Sequence, residues 1–354
     1  SPDSVRGLGG GAAWPHTRPL DEEGEDEGGD AGVLSLAQAA DVTMRSTAAM
    51  TFDFSVPMAP WRFVRLGVRG GCAKSSGDLE GLVRQGCRRW TRGAGLANRG
   101  AMRPDARALD ALRPVEMVLG FHRPSEGSVL YRAGGTIVLC TASVEPKVPA
   151  FLEGKGKGWL TAEYQMHPRA NPPRRENRDG RGKAPSGRTQ EIQRLVGRAL
   201  RAAVLLEKLG ELTITIDCDV LEADGGTRTA SVTGGFVALA LALAKLRERG
   251  TLSGPVLREP VAATSVGLLK DDKLALDLVY LEDSAAEVDL NVVATASGAI
   301  IEVQGTAEGA PAPRARIDAM LDLALAGVAE LTHLQRAALA GAGVSLDALL
   351  VGGG

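Results

Sequence analysis

Leu212-Thr213-Ile214-Thr215-Ile216-Asp217-Cys218-Asp219-Val220-Leu221 reads as a strand, Asp224-Gly225-Gly226-Thr227-Arg228-Thr229 as a turn, and Ala230 to Leu246 as a helix. That order places free backbone N–H groups where a single anion can meet them. Adjacent glycines allow close backbone approach, Thr227 adds a hydroxyl donor, and Arg228 offers a planar fork matched to phosphate oxygens. The turn is a candidate phosphate site. Further on, Glu282-Asp283-Ser284-Ala285-Ala286-Glu287-Val288-Asp289 gathers hard carboxylate oxygens of the kind that hold magnesium beside phosphate. Together the two stretches point to phosphoryl-transfer chemistry.

Composition sets mild bounds. A chain of 354 residues with 44% hydrophobic and only 4% aromatic content can fill a core, but an aliphatic one. The net charge of −2 carries no overall basic excess, so a nucleic-acid partner must be met by a local patch. Cys72, Cys87, Cys140 and Cys218 show neither metal spacing nor a dense disulfide pattern, which fits a reducing, cytoplasmic setting. No apolar run reaches the length of a membrane span, and the start of the chain lacks a basic-then-apolar signal.

Residues 1–101 hold a small-residue run, an acidic run from Asp21 to Asp30 and an arginine-rich stretch with little periodicity. They read as a disordered or non-native extension. From Met102 to about residue 340 the chain reads as one α/β domain, with 341–354 as a flexible tail. Ser128–Leu130 and Ile137–Cys140 flank Gly134-Gly135 as a hairpin, and Leu160–Met166 is a third strand. Helical periodicity runs from Thr189 to Leu209, with Gly210 as the stop. Val261–Leu269, Leu274–Tyr280, Asp289–Thr295 and Ile300–Gly305 form four strands, jointed at Asp271-Asp272 and Ser297-Gly298. A last helix spans Ala315 to Leu339. Strands followed by a helix occur twice, which hints at a duplicated unit.

Between Met166 and Arg188 lie Arg169, Arg174, Arg175, Arg178, Arg181 and Lys183 among prolines and glycines. A loop of this charge suits the sequence-independent grip on an RNA backbone. A solvated loop without a partner is the plain alternative.

Several motifs then carry a family resemblance. Gly187-Arg188-Thr189-Gln190-Glu191-Ile192-Gln193-Arg194-Leu195, Asp217-Cys218-Asp219-Val220-Leu221, the phosphate turn, Tyr280-Leu281-Glu282-Asp283-Ser284-Ala285-Ala286-Glu287 and Glu302-Val303-Gln304-Gly305-Thr306-Ala307-Glu308-Gly309 together resemble ribonuclease PH over about residues 102–339. The resemblance implies an α/β (α+β) fold of duplicated βαβα type. It implies a phosphate-dependent exoribonuclease that trims transfer RNA precursors at their 3′ ends and releases nucleoside diphosphates, a reversible nucleotidyl transfer. It also implies a homo-oligomeric hexameric ring, a trimer of dimers. Carried over by position, phosphate would be held by Arg188, Gly226, Thr227 and Arg228. Asp283 and Asp289 would be the catalytic, magnesium-associated carboxylates.

Chemistry supports that assignment independently. Phosphate attacking a phosphodiester brings two anions together, so the site must supply cations and aligned donors more than a protein nucleophile. Arg188 and Arg228 fall at the starts of helices, where the dipole adds to their field. Either carboxylate could serve as a general acid instead of a metal ligand. Apart from the turn, Asp283 and Asp289 could equally cap a turn or pair with surface bases. Glu191, Arg194, Arg198 and Arg201 form a polar stripe read as solvated or subunit-facing. The histidines are scattered, which supports neither a zinc site nor a hydrolytic triad. Two other classes remain open: a non-catalytic subunit of an exosome-like ring, and an RNA-binding protein without activity.

Overall fold

The computed structural model describes residues 103–175 and 184–352, and within them the chain forms two sheets. The extension at 1–101 and the basic residues Arg178, Arg181 and Lys183 lie outside the described residues. The first sheet comprises β1 (Val115–Leu119), β2 (Gly127–Ala133), β3 (Thr136–Glu145), β4 (Trp159–Met166) and β5 (Thr213–Glu222), in the order β1-β2-β3-β5-β4. The hairpin at Gly134-Gly135 forms with Ala133 opposite Thr136, and Gly134 at φ +55° makes the turn. Only β4 and β5 run parallel, joined by the crossover helix α1 (Gly187–Ala202). β1, unassigned from the sequence, buries Val115 and Met117 on one face.

Ser186 starts α1 by accepting a hydrogen bond from the Thr189 N–H at 3.1 Å. Ile192, Leu195, Val196, Ala199 and Leu200 then fall on one fully buried face. Each large aliphatic side chain so buried contributes roughly 1.5–3 kcal/mol. The single helix expected through Leu209 is in fact two. Around Val204 the chain bridges to Leu257, with the Leu205 N–H donating to Val256 and the Arg258 N–H to Ala203, before α2 (Leu206–Leu209) resumes. A tertiary pairing overrides the helical period there.

α3 (Thr227–Glu248) packs on β2, β3 and β6, between the two sheets. It is apolar on all sides, and in length and hydropathy, at 1.6, it would pass for a membrane span, contrary to the sequence expectation. Its most apolar window is 83% buried, which marks a core helix.

The second sheet is antiparallel, in the order β7-β6-β8-β9: β6 (Val261–Leu269), β7 (Lys273–Leu276), β8 (Val288–Thr295) and β9 (Ile300–Ala307). Asp271 and Asp272, at φ +61° and +60°, make the expected joint between β6 and β7. The strand expected to reach Tyr280 stops at Leu276, because Asp277 turns at φ +55° to meet Arg113, and Tyr280 opens the short helix α4 (Tyr280–Asp283). α5 (Arg314–Gly341) covers β6 and β8.

Residues beyond 340 are packed, which corrects the flexible tail expected from the sequence. Leu346 and Leu349 are buried, and Leu349 and Val351 hydrogen-bond along Val256 and Leu257. The architecture is mixed α/β, as expected, with unequal halves. The first half carries the crossover helix and parallel strand that the second lacks.

Candidate active site

The phosphate turn is built by crowding. Gly225, at φ +78°, lies so close to the chain at 278–280 that a β-carbon there would sit 2.5 Å from the Leu278 carbonyl oxygen. Gly226, at φ +65°, is the residue before the first turn of α3. No other residue type meets both demands at Gly225. Thr136 donates its hydroxyl to the Gly225 carbonyl at 2.6 Å and accepts from the Asp224 N–H at 3.0 Å.

A buried guanidinium holds the turn from beneath. Arg113 donates to the Asp224 carbonyl at 2.7 Å and grips both Asp277 oxygens, at 3.0 Å through Nε and 2.7 Å through Nη2. Arg103 forks onto Glu282 at 2.7 Å and 2.7 Å and donates to the Asp277 carbonyl at 3.1 Å. These pairs fix α4 against the turn and so fix Asp283, which closes α4. Nothing in the sequence marked Arg103, Arg113 or Asp277 as site residues, and Glu282, read there as one of the carboxylates that could hold magnesium, is instead spent on Arg103.

Thr227 and Arg228 occupy the first turn of α3, and Arg188 is the second residue of α1. Thr227 is buried with its hydroxyl 2.9 Å from that of Tyr164, a β4 residue the sequence gave no reason to single out. With Tyr164 donating, the Thr227 proton stays free for an anion. Arg228 donates to Gln304 Oε1 at 2.8 Å and stands 3.7 Å from Glu191. Gln304 in turn donates to Glu191 and Glu302, and Arg198 forks onto Glu302. The stripe read as solvated or subunit-facing therefore points, at Glu191 and Arg198, onto β9 of the same chain. Arg201 donates to the Leu160 carbonyl and lies over the Trp159 ring at 4.9 Å.

Asp283 and Asp289 come into one field with these arginines. Asp289 lies on β8 opposite Thr306, on the strand face that also carries Asn291, whose β9 partner is Gln304. Partial removal from water raises the Asp283 carboxyl above its ordinary range, while Arg228, Arg188 and Arg113 pull it back. Asp289 is raised first by burial and then by Asp283, with Arg228 opposing. Asp283 thus repels the Asp289 charge, while Arg228 offsets both carboxylates.

Among the described residues no group of three or more His, Cys, Asp or Glu side chains converges on a metal position. Two carboxylates still fit magnesium, which keeps several waters and completes its shell with substrate phosphate oxygens.

Arg174 and Arg175 are solvent-exposed, and Arg169 donates to the Pro173 carbonyl at 3.1 Å. Arg178 lies outside the described residues. Asp217 and Asp219 line, with Glu163, a groove of about 560 Å³ that also takes in Tyr164 and Thr189 and so adjoins the phosphate turn. Burial, then Asp219 and Glu163, raise the Asp217 carboxyl.

Residues 111–245 match the 3′ exoribonuclease family, domain 1, and residues 259–327 match domain 2 of the same family. Among solved structures, rice (Oryza sativa) Rrp46 superposes with a TM-score of 0.55 at 18% identity, over 67% of this chain and 100% of its own. An Archaeoglobus fulgidus exosome with RNA bound to the active site gives 0.54 at 23% identity, over 66% and 92%. An archaeal exosome core gives 0.51 at 21%, over 66% and 91%. At such identities these likenesses show the fold alone.

Proposed function

The chain belongs to the 3′ exoribonuclease family, and we propose that it works there as a phosphate-dependent enzyme that trims transfer RNA precursors from their 3′ ends. One observation carries the reading: Arg228 and Arg188, at two helix starts, both act on Asp283, and Arg228 acts on Asp289 as well. An oxygen of inorganic phosphate attacks the terminal phosphodiester, the bond from phosphorus to the upstream 3′ oxygen breaks, and that oxygen takes a proton. The products are a nucleoside diphosphate and an RNA one residue shorter.

Arg188, Arg228 and the N–H groups at Gly226 and Thr227 gather the attacking phosphate and the scissile one, the step that mutual repulsion otherwise forbids. Magnesium, held by Asp283 and Asp289, would offset charge on the scissile phosphate and the departing oxygen. Because a phosphodiester is exchanged for a diphosphate, the reaction runs both ways. Labelled RNA with added phosphate should yield nucleoside diphosphates, and diphosphates at low phosphate should extend a 3′ end. Nucleoside monophosphates as the main product, without phosphate, would overturn the reading.

Arg228 and the arginine loop should fail differently. Arg228→Ala removes a charge-assisted bond of roughly 1.5–3 kcal/mol, so KM for phosphate should rise about ten- to a hundredfold while RNA affinity holds. Replacing Arg169, Arg174 and Arg175 together should weaken RNA binding and flatten its salt dependence by about one unit of slope per lost contact, leaving phosphate affinity intact. Phosphate titration at saturating RNA, then binding across a salt series, measures the pair.

Two of the similar structures are archaeal exosomes, which fit a second reading, a non-catalytic ring subunit, as well as they fit the first. The same phosphate assay separates the two, since that subunit releases no diphosphates. We further propose assembly as a homo-hexameric ring; the native mass of the purified chain tests whether six copies suffice without related subunits.

A further inference from the structure

Tyrosine is scarce in this chain, with three in 354 residues, and the structure uses them unequally. Tyr131 and Tyr164 are each 3% exposed, whereas Tyr280 is 51% exposed. An aromatic ring left in water forgoes its burial energy, and this one stands beside the site just described. Its backbone N–H donates to Asp224 Oδ1 at 3.2 Å, and its nitrogen lies 2.9 Å from where a β-carbon on Gly225 would be. It precedes Asp283 by three residues in α4, which places both on one side of that turn.

Rotation of α4 cannot bury the ring. Glu282, between them, is locked onto Arg103 by two bonds of 2.7 Å and also accepts from the Val279 N–H at 3.1 Å. Leu281 follows at 65% exposure, extending the apolar surface. Of the other exposed aromatics among the described residues, Phe151 packs edge-on to Trp159 at 5.4 Å, and Phe121 lies in the connection from β1 to β2.

We infer that Tyr280 is the platform on which the 3′-terminal nucleobase of the RNA stacks, setting the last phosphodiester over the turn and Asp283. Every nucleobase has a π-face, so such a platform grips any terminal residue without reading its identity, as stepwise shortening requires. The inference rests on the exoribonuclease reading of the site, and its test has an arm that does not.

Tyr280→Ala should raise KM for RNA about tenfold, and Tyr280→Phe should restore it, since stacking needs the ring and not the hydroxyl. An RNA ending in an abasic residue should bind the unaltered protein about tenfold more weakly than its normal counterpart. It should bind Tyr280→Ala no more weakly than that counterpart. Equilibrium binding of these two RNAs without phosphate decides the matter whether or not diphosphates are released. If Tyr280→Ala still discriminates the abasic end as well as the unaltered protein does, the stacking role is refuted. If the stacking pattern holds but no diphosphates form, the catalytic reading fails and the platform stands.

Discussion

Asp283→Asn and Asp289→Asn should each lower turnover more than about a hundredfold if the proposed function holds, because an amide keeps the shape of the side chain and removes the charge that would hold a cation beside the scissile phosphate. RNA binding should change little, since neither carboxylate favours a polyanion. Stability should move the other way. Both carboxyls are raised above their ordinary values by the fold, Asp283 through burial and Asp289 through burial and Asp283.

A raised carboxyl means that ionisation is harder in the folded chain than in the unfolded one. Its charge therefore costs stability at neutral pH, and that cost is relieved as pH falls through the raised value. Without divalent cation, each asparagine variant should melt above the unaltered protein near neutral pH, and the gap should close at acid pH where the carboxyls are protonated in both states. Thermal melts across pH in chelator, with single-turnover kinetics, measure both halves. Variants that keep near-normal turnover would show that any metal sits elsewhere. Variants that melt lower near neutral pH would show that the carboxylates serve the fold.

What the sequence made legible follows from how local each feature is. The phosphate turn could be read because strand, glycine pair, threonine, arginine and helix are contiguous, and a helix start needs no distant partner to bind an anion. Arg188 was assigned only through the resemblance, and what the local sequence gave was its place at the start of a helix. The hairpin at Gly134-Gly135 and the Asp271-Asp272 joint declared themselves through positive φ, which few residues tolerate.

Features that depend on distant partners did not declare themselves. The helix breaks near Val204 to pair with Leu257, β7 stops where Asp277 turns towards Arg113, and the last residues pack because Leu346 and Leu349 find core. Local period and composition are silent on all three. The polar stripe of α1 is exposed at Arg194 and Arg198, as read, but only the folded chain shows that Glu191 and Arg198 also reach side chains of β9. Asp283 and Asp289 were visible as acids, but the field that makes them more than surface charges comes from arginines on two other elements.

The least legible residues carry the largest expected effect on stability. Arg113 and Asp277 are separated by 164 positions, and their side chains are 2% and 9% exposed. Arg113→Ala should cost about 3 kcal/mol in denaturant unfolding, because a buried carboxylate loses its fork partner and keeps only the residue-113 backbone N–H at 2.7 Å and Arg107 at 3.7 Å. It should also loosen the turn, since the same guanidinium binds the Asp224 carbonyl and lies 3.4 Å from that of Gly225.

Arg113→Lys separates these two roles. An ammonium can offset the Asp277 charge but cannot reach two carboxylate oxygens and a carbonyl in one plane. The lysine variant should therefore recover much of the lost stability while KM for phosphate stays raised, and Thr136, still bridging Asp224 and Gly225, should keep the turn from collapsing. If lysine restored phosphate affinity along with stability, charge alone would organise the turn, and the guanidinium fork would not be what shapes the anion site.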